Sequence, residues 1–144
     1  MGQLPKRSSK KRSLSFRATR KHHHTEAAED YTELVSELID KHGEARTCQI
    51  AEHLGISHVT ALRTIRRLQG EGYLETSPHR PVMLTAKGRK IAEFSKERHR
   101  LLVEFFVSIG VPPAVAEIDV EGVEHHISPA TLSAIRSFMK DKAD

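Results

Sequence analysis

The chain has 144 residues, 38% of them apolar and 29% charged, a balance that suits one globular domain or two small ones and excludes collagenous, disulfide-rich and membrane-spanning classes. Its single cysteine, Cys48, cannot close an internal disulfide, and the basic, polar N-terminus has no apolar run of signal-peptide or bilayer length, so a cytoplasmic location is expected. The net charge of +4 conceals an asymmetry: eight of the 23 Lys and Arg residues and none of the 19 acids lie in residues 1–24, which leaves 15 bases against 19 acids, or −4, for the remainder.

Residues 1–24 read as a disordered basic tail, because a stretch rich in Ser, Lys and Arg with few apolar side chains cannot offset the entropy of ordering. Its expected contribution is solubility or sequence-independent contact with phosphates, and His22-His23-His24 are either bystanders or a chelating run. From Glu26 to His42 an apolar stripe of Tyr31, Leu34, Val35, Leu38 and Ile39 predicts an amphipathic helix, with Gly43 where a C-cap belongs. Asp30 and Glu33 stand one turn apart at the edge of that stripe. Acids early in a helix are favoured by its dipole, so the pair alone does not require a ligand.

Thr47 is predicted to cap a short helix through Gln49, Ile50, Ala51 and Leu54, after which Gly55 turns the chain and Ser57 caps a second helix reaching about Gln69. This is a helix-turn-helix. In its second helix Ala61, Leu62, Ile65 and Leu68 recur at helical spacing, which leaves Ser57, His58, Thr60, Arg63, Thr64 and Arg67 projecting outward. Short polar groups followed by two arginines suit a major-groove reader, the first meeting base edges and the later ones phosphates; the plain alternative is a solvated helical face. Beyond Gly70-Glu71-Gly72 two short strands, Tyr73–Thr76 and Val82–Leu84, flank the turn Ser77-Pro78-His79-Arg80-Pro81 and make a wing. Arg80 at its tip is a candidate for a minor-groove or phosphate contact, with His79 a further hydrogen-bonding group.

Thr85 is predicted to cap a long helix with Ile91, Phe94, Leu101, Leu102, Phe105, Phe106 and Ile109 at its apolar positions, ending at Gly110 and connecting the DNA-binding half to an apolar helical cluster that pairs with another chain. His99 lies in its middle, where a lone histidine is more often a surface residue than a ligand. Pro112-Pro113 opens another helix, and Ser128-Pro129 the last, with Leu132, Ile135, Phe138 and Met139 on one face. These helices are too short to enclose a core alone, so a two-fold dimer is expected to bury them. Between them lies Asp119-Val120-Glu121-Gly122-Val123-Glu124-His125-His126, three carboxylates and two imidazoles without a Lys or Arg. If the run is helical, Glu121, Glu124 and His125 converge on one place, as metal ligands do; a solvated acidic face with two spare histidines is the alternative.

Three separated motifs, Glu29-Asp30-Tyr31-Thr32-Glu33, Glu97-Arg98-His99 and Asp119 to His126, stand in order around a winged helix-turn-helix. In this the chain resembles the diphtheria toxin repressor family of metal-dependent regulators, and within it the manganese-responding branch, over residues from about 29 to 140. The resemblance implies a mainly α fold: an N-terminal winged helix-turn-helix domain over 25–88, followed by a helical metal-binding and dimerisation domain over 89–144. It implies two Mn(II) ions per subunit with ligands at Asp30, Glu33, His99, Glu121, Glu124 and His125. Asp30 and His99 would serve one ion, Glu121 and His125 would favour the other, and Glu33 and Glu124 would bridge. Oxygen-rich donors with a minority of imidazole suit Mn(II), although other divalent cations can substitute in the tube. Iron-responding relatives have methionine and cysteine where this chain has Asp30 and Glu121. His126 is no ligand in that pattern.

The function that the resemblance implies is repression of manganese uptake genes by a homodimer that binds double-stranded operator DNA when Mn(II) is bound, with no membrane partner, small-molecule substrate or enzymatic activity. Three departures from the family stand out: Pro81 where relatives often have glycine in the wing, no SH3-like domain after residue 144, and the basic tail. Two rival classes are a dinuclear metal hydrolase, against which no nucleophile elbow or P-loop occurs, and a metal-independent DNA-binding protein.

Overall fold

A computed structural model describes the chain from Ser9 to Asp144, with side chains described from Thr25. Six helices in chain order, α1 (Ser9–His42), α2 (Thr47–Leu54), α3 (His58–Gly70), α4 (Ala86–Ser108), α5 (Pro113–Val123) and α6 (Pro129–Ala143), are joined by a two-stranded wing, β1 (Leu74–Glu75) and β2 (Met83–Leu84), and by a 3-10 turn over Glu124–His126. Helix α1 begins at Ser9 rather than at Glu26, so the expectation of disorder over residues 1–24 gives way to helix from Ser9; residues 1–8 and the side chains of His22-His23-His24 lie outside the described residues. The physical reason is continuity. No Gly or Pro interrupts Ser9–His42, its Lys, Arg and Ala are good helix formers, and a helix already nucleated downstream adds residues without a second nucleation cost.

The first core is built by α1 through Tyr31, Val35 and Leu38, by Ala45 and Ile50, by Ile65 and Leu68 of α3, and by Leu74 and Val82 of the wing. Ile50, Ile65 and Leu68 are fully buried, each contributing about 1.5–3 kcal/mol by removal from water. Local signals place these elements. Gly43, at φ 83°, ends α1 with its N–H donated to the Ile39 carbonyl at 2.8 Å. Ser57 caps α3 by accepting the Thr60 N–H at 3.1 Å. Thr47 is inside α2 rather than its cap; the cap position is Arg46, whose backbone N–H donates to the Gln49 side chain at 2.8 Å. The strands pair antiparallel with Leu74 opposite Leu84 and Glu75 opposite Met83, and Val82 bridges Ala45.

Thr85 joins the wing to α4: its hydroxyl donates to the Gly72 carbonyl at 2.6 Å and accepts the Gly88 N–H at 3.0 Å. Helix α4 then packs along α1, but not with the face its phenylalanines suggest. Gly88, Ala92, Ser95, Arg98 and Leu102 are the buried positions, whereas Phe94 is 47% and Ile109 60% exposed. At the start of α4, Gly88 lets the helix approach the wing closely, where a Cβ would stand 2.0 Å from the Tyr73 carbonyl oxygen. A second core forms around Leu102, Val120 and Leu132, with Leu101, Phe106, Ile127 and Ile135 against it. Phe105 and Phe138 meet edge to face at 5.9 Å and, with Ile109, line an open apolar groove between α4 and α6.

Candidate metal centre and nucleic-acid interface

Acidic and imidazole side chains meet where α1, α4 and the end of α5 come together. Helix α1 presents Glu26, Glu29, Asp30 and Glu33 along one edge, one turn or less apart, beside the buried Ala28, Tyr31 and Thr32. Helix α4 supplies Arg98 and His99. The predicted helical run from Asp119 to His126 is instead helix to Val123 and a 3-10 turn from Glu124, with Glu124 and His125 buried and Glu121 72% exposed. The tighter turn advances about 120° per residue, which carries Glu124 and His125 inward together while Glu121 stays at the rim.

His125 is the hub of one cluster. Its Nδ1 lies 2.6 Å from Glu29 Oε2 and its Nε2 3.1 Å from Asp30 Oδ1 and 3.5 Å from Glu124 Oε1. Donor atoms of Glu26, Asp30 and His125 all lie within 4.8 Å of one another, the one such grouping among the described residues. His99 is the hub of the other, donating from Nδ1 to Glu124 Oε2 and from Nε2 to Glu117 Oε2, each at 2.7 Å, with Glu121 Oε1 at 4.0 Å. Glu124, 2% exposed, therefore touches both imidazoles.

Charge follows this geometry. Burial opposes a charged His125, but the hydrogen bonds and charges of Asp30 and Glu29 outweigh it and push the imidazole up to about 10. His99 is raised likewise: burial opposes, and Glu117 and Glu124 prevail. Glu33 is pushed up to about 7 by burial and by the neighbouring charges of Glu124 and Glu37. Burial also raises Glu124, with His99 pulling the other way. Protons on this cluster thus offset the charge of its carboxylates.

Of the six ligands that the resemblance implied, Asp30, His99, Glu124 and His125 form a continuous chain of contacts. Glu33 is coupled to them through charge, and Glu121 stands at the rim, 4.0 Å from His99. Glu26, Glu29, Arg98 and Glu117 were not singled out as site residues from the sequence, although Glu26 precedes Asp30 by one turn and Glu117 precedes Glu121 by one turn. Among the described residues, the donor set fits a hard divalent cation: carboxylates in majority, two imidazoles, and no thiolate, since Cys48 is exposed on α2.

In the helix-turn-helix, α3 exposes His58, Thr60, Arg63 and Arg67, whereas Thr64 is half-buried. The Ser57 hydroxyl is engaged locally, donating to Thr60 Oγ1 at 2.8 Å while it caps the helix. Arg67 Nε lies 3.8 Å from Glu71. The wing turn places His79 at φ 63° with Arg80 exposed beside it. Between α2, α3 and the wing tip is a cleft bordered by Arg46, His58, Arg66 and Arg80. Arg46 and Arg66 extend the basic surface beyond the residues read from the helix-turn-helix pattern. Among the described residues no helix is long and apolar enough to cross a membrane.

Residues 23–82 match the family described as iron dependent repressor, N-terminal DNA binding domain, and residues 85–143 match iron dependent repressor, metal binding and dimerisation domain. The chain is 45% identical over 123 residues to the transcriptional regulator MntR of Escherichia coli O6:H1, covering 85% of this chain and 79% of that protein. It is 40% identical over 111 residues to the HTH-type transcriptional regulator MntR of Oceanobacillus iheyensis, covering 77% of this chain and 76% of that one. A solved structure described as a manganese-dependent transcriptional repressor complex with manganese superposes with a TM-score of 0.70 at 30% identity, over 78% of this chain and 52% of the other.

Proposed function

The chain belongs to the iron dependent repressor family, and on that footing we propose that it is a manganese-responsive transcriptional regulator. In this reading it binds double-stranded operator DNA as a homodimer when Mn(II) is bound and represses manganese uptake genes. The observation that carries it is the cluster of Asp30, Glu124, His99 and His125, which ties the helix at the heart of the DNA-binding half to α4 and α5 of the other half. Its relatives are named as transcriptional regulators, which favours a binding function over hydrolysis. DNA as partner implies action in the cytoplasm.

The ligands in this reading are Asp30, Glu33, His99, Glu121, Glu124 and His125, enough for two ions, with Glu26 close enough to Asp30 and His125 to act as a supplementary donor. A bound dication would supply the positive charge that the protons on Glu33, His99 and His125 supply without it. Asp30 and Glu33 ride on α1, whose opposite face is the core of the winged helix, so fixing these carboxylates relative to Glu124 and His125 fixes the orientation of α3. Two α3 helices held at one spacing by dimerisation through the Phe105, Ile109 and Phe138 groove lose less freedom on meeting a palindromic site. Ser57, His58, Thr60, Arg63, Thr64, Arg67 and Arg80 form the reading surface, in which Arg63, Arg67 and Arg80 meet phosphates or base edges. The coupling is reciprocal: operator DNA tightens metal binding by the factor that metal tightens DNA binding.

The test is binding of the purified protein to an uptake-gene operator at stated salt with Mn(II), Fe(II), Zn(II) or excess chelator. Chelator should weaken specific binding by at least about tenfold, equivalent to about 1.4 kcal/mol of coupling. Operator affinity unchanged by chelator would instead identify a metal-independent DNA-binding protein. Activation, rather than raw affinity, distinguishes the metals, because Zn(II) binds most nitrogen and oxygen sites more tightly than Mn(II).

A further inference from the structure

Arg98 is 5% exposed, and its guanidinium grips both oxygens of Glu29, Nη1 to Oε1 at 3.3 Å and Nη2 to Oε2 at 2.5 Å. The same Glu29 Oε2 lies 2.6 Å from His125 Nδ1. Arg98 Nη2 is also 3.3 Å from that nitrogen, so either the imidazole donates to Glu29 or Arg98 donates to the imidazole. The much shorter carboxylate contact decides for the first. Arg98 Nε, meanwhile, is buried with no partner, although a buried donor normally finds one. The guanidinium is therefore held where it serves Glu29 rather than where it would satisfy all its own hydrogens. On its other side the Phe94 ring lies 5.5 Å from the guanidinium carbon.

We propose that Glu29 and Arg98 are positioning residues for metal binding: Arg98 orients Glu29, and Glu29 holds His125 as the Nδ1–H tautomer with Nε2 turned toward Asp30 and Glu124. The proposal rests on the reading of His125 as a ligand. Its chemistry is that of a neutral imidazole, which carries one proton and offers one lone pair; which nitrogen ligates is set by the hydrogen bond the other makes. A carboxylate behind a ligating imidazole fixes the ring and raises its basicity, and removing such a partner typically lowers metal affinity about 10–100-fold. Glu29, already committed to a guanidinium and an imidazole, acts through His125 and is not itself a ligand. Arg98 and His99 are neighbours on α4, so one helical turn presents one ligand directly and orients another through Glu29.

The experiment combines Mn(II) affinity with a reading of the tautomer. Long-range 15N–1H NMR of the full-length protein loaded with diamagnetic Zn(II) should show His125 protonated at Nδ1 and ligated at Nε2; ligation through Nδ1 in the parent protein overturns the proposal without any variant. By electron paramagnetic resonance of free Mn(II), Glu29→Gln should weaken binding about 10–100-fold, and Glu29→Asp should weaken it less. In a His125→Ala background Glu29→Gln should have no further effect. An equal loss in that background would make Glu29 a direct ligand and refute a positioning role, as would parent-like affinity in Glu29→Gln beside weakened His125→Ala. If His125→Ala itself binds Mn(II) like the parent, the metal reading of this site fails, and this proposal with it.

Discussion

At the proposed ligands protons and metal compete for the same atoms, and that competition has a size. His125 is pushed up to about 10 and Glu33 up to about 7, so near neutrality His125 is an imidazolium and Glu33 is about half protonated. A ligand must give up its proton before its lone pair is available, so the sign is fixed: Mn(II) affinity rises with pH. Between about pH 6 and about pH 8, His125 alone contributes about one decade per pH unit, roughly a hundredfold, because the whole interval lies below its raised pKa. Glu33 passes from about one-tenth to about nine-tenths ionised, a further factor of roughly ten. Solvent reaching the half-buried Glu33 screens the charges that raise it, so its factor falls toward about threefold, and the expected total lies between about three hundredfold and a thousandfold. His99, raised by Glu117 and Glu124 against the effect of burial, adds in the same direction. Calorimetry in buffers of different ionisation enthalpy counts the protons directly, and about 1.5 should be released per Mn(II) at neutral pH from these two groups. An affinity changing less than about tenfold over that interval, with less than about half a proton released, would refute this account of how the cluster balances its charge.

Two further outcomes test other parts of the structure. Gly88→Ala should destabilise the protein by about 3 kcal/mol in chemical denaturation, because its Cβ meets a backbone oxygen at 2.0 Å that cannot swing away; a parent-like midpoint would mean that the wing and α4 are not held this closely. Glu121→Cys should move activation of operator binding away from Mn(II) toward softer cations, since a thiolate replaces a hard oxygen at the exposed rim of the site. Equal metal responses in variant and parent would remove Glu121 from the ligand set.

The two halves of the molecule differ in how far local pattern reaches. Apolar periodicity in α1 and α3, the caps at Ser57 and Thr85, and the glycine at Gly43 are all local signals, and the winged helix-turn-helix follows from them because each is satisfied within a few residues. That Asp30, His99, Glu124 and His125 cluster was legible only from three motifs taken together, none sufficient alone. Other features depended on the approach of α1 to α4. Phe94 and Ile109 look like core residues by hydrophobicity, yet they are left outside because α4 turns inward the face that carries Gly88, Ala92, Ser95, Arg98 and Leu102. In the same way Glu29 is 69 residues from Arg98 and 96 from His125, and no spacing rule connects them. Sequence determined which side chains would be available as helices, caps and hard oxygen donors, since those are properties of residue type and short-range geometry. Only tertiary packing decided which acid meets a guanidinium, which imidazole nitrogen faces Glu29, and which helix face is buried, because burial and charge pairing are set by what lies across the interface.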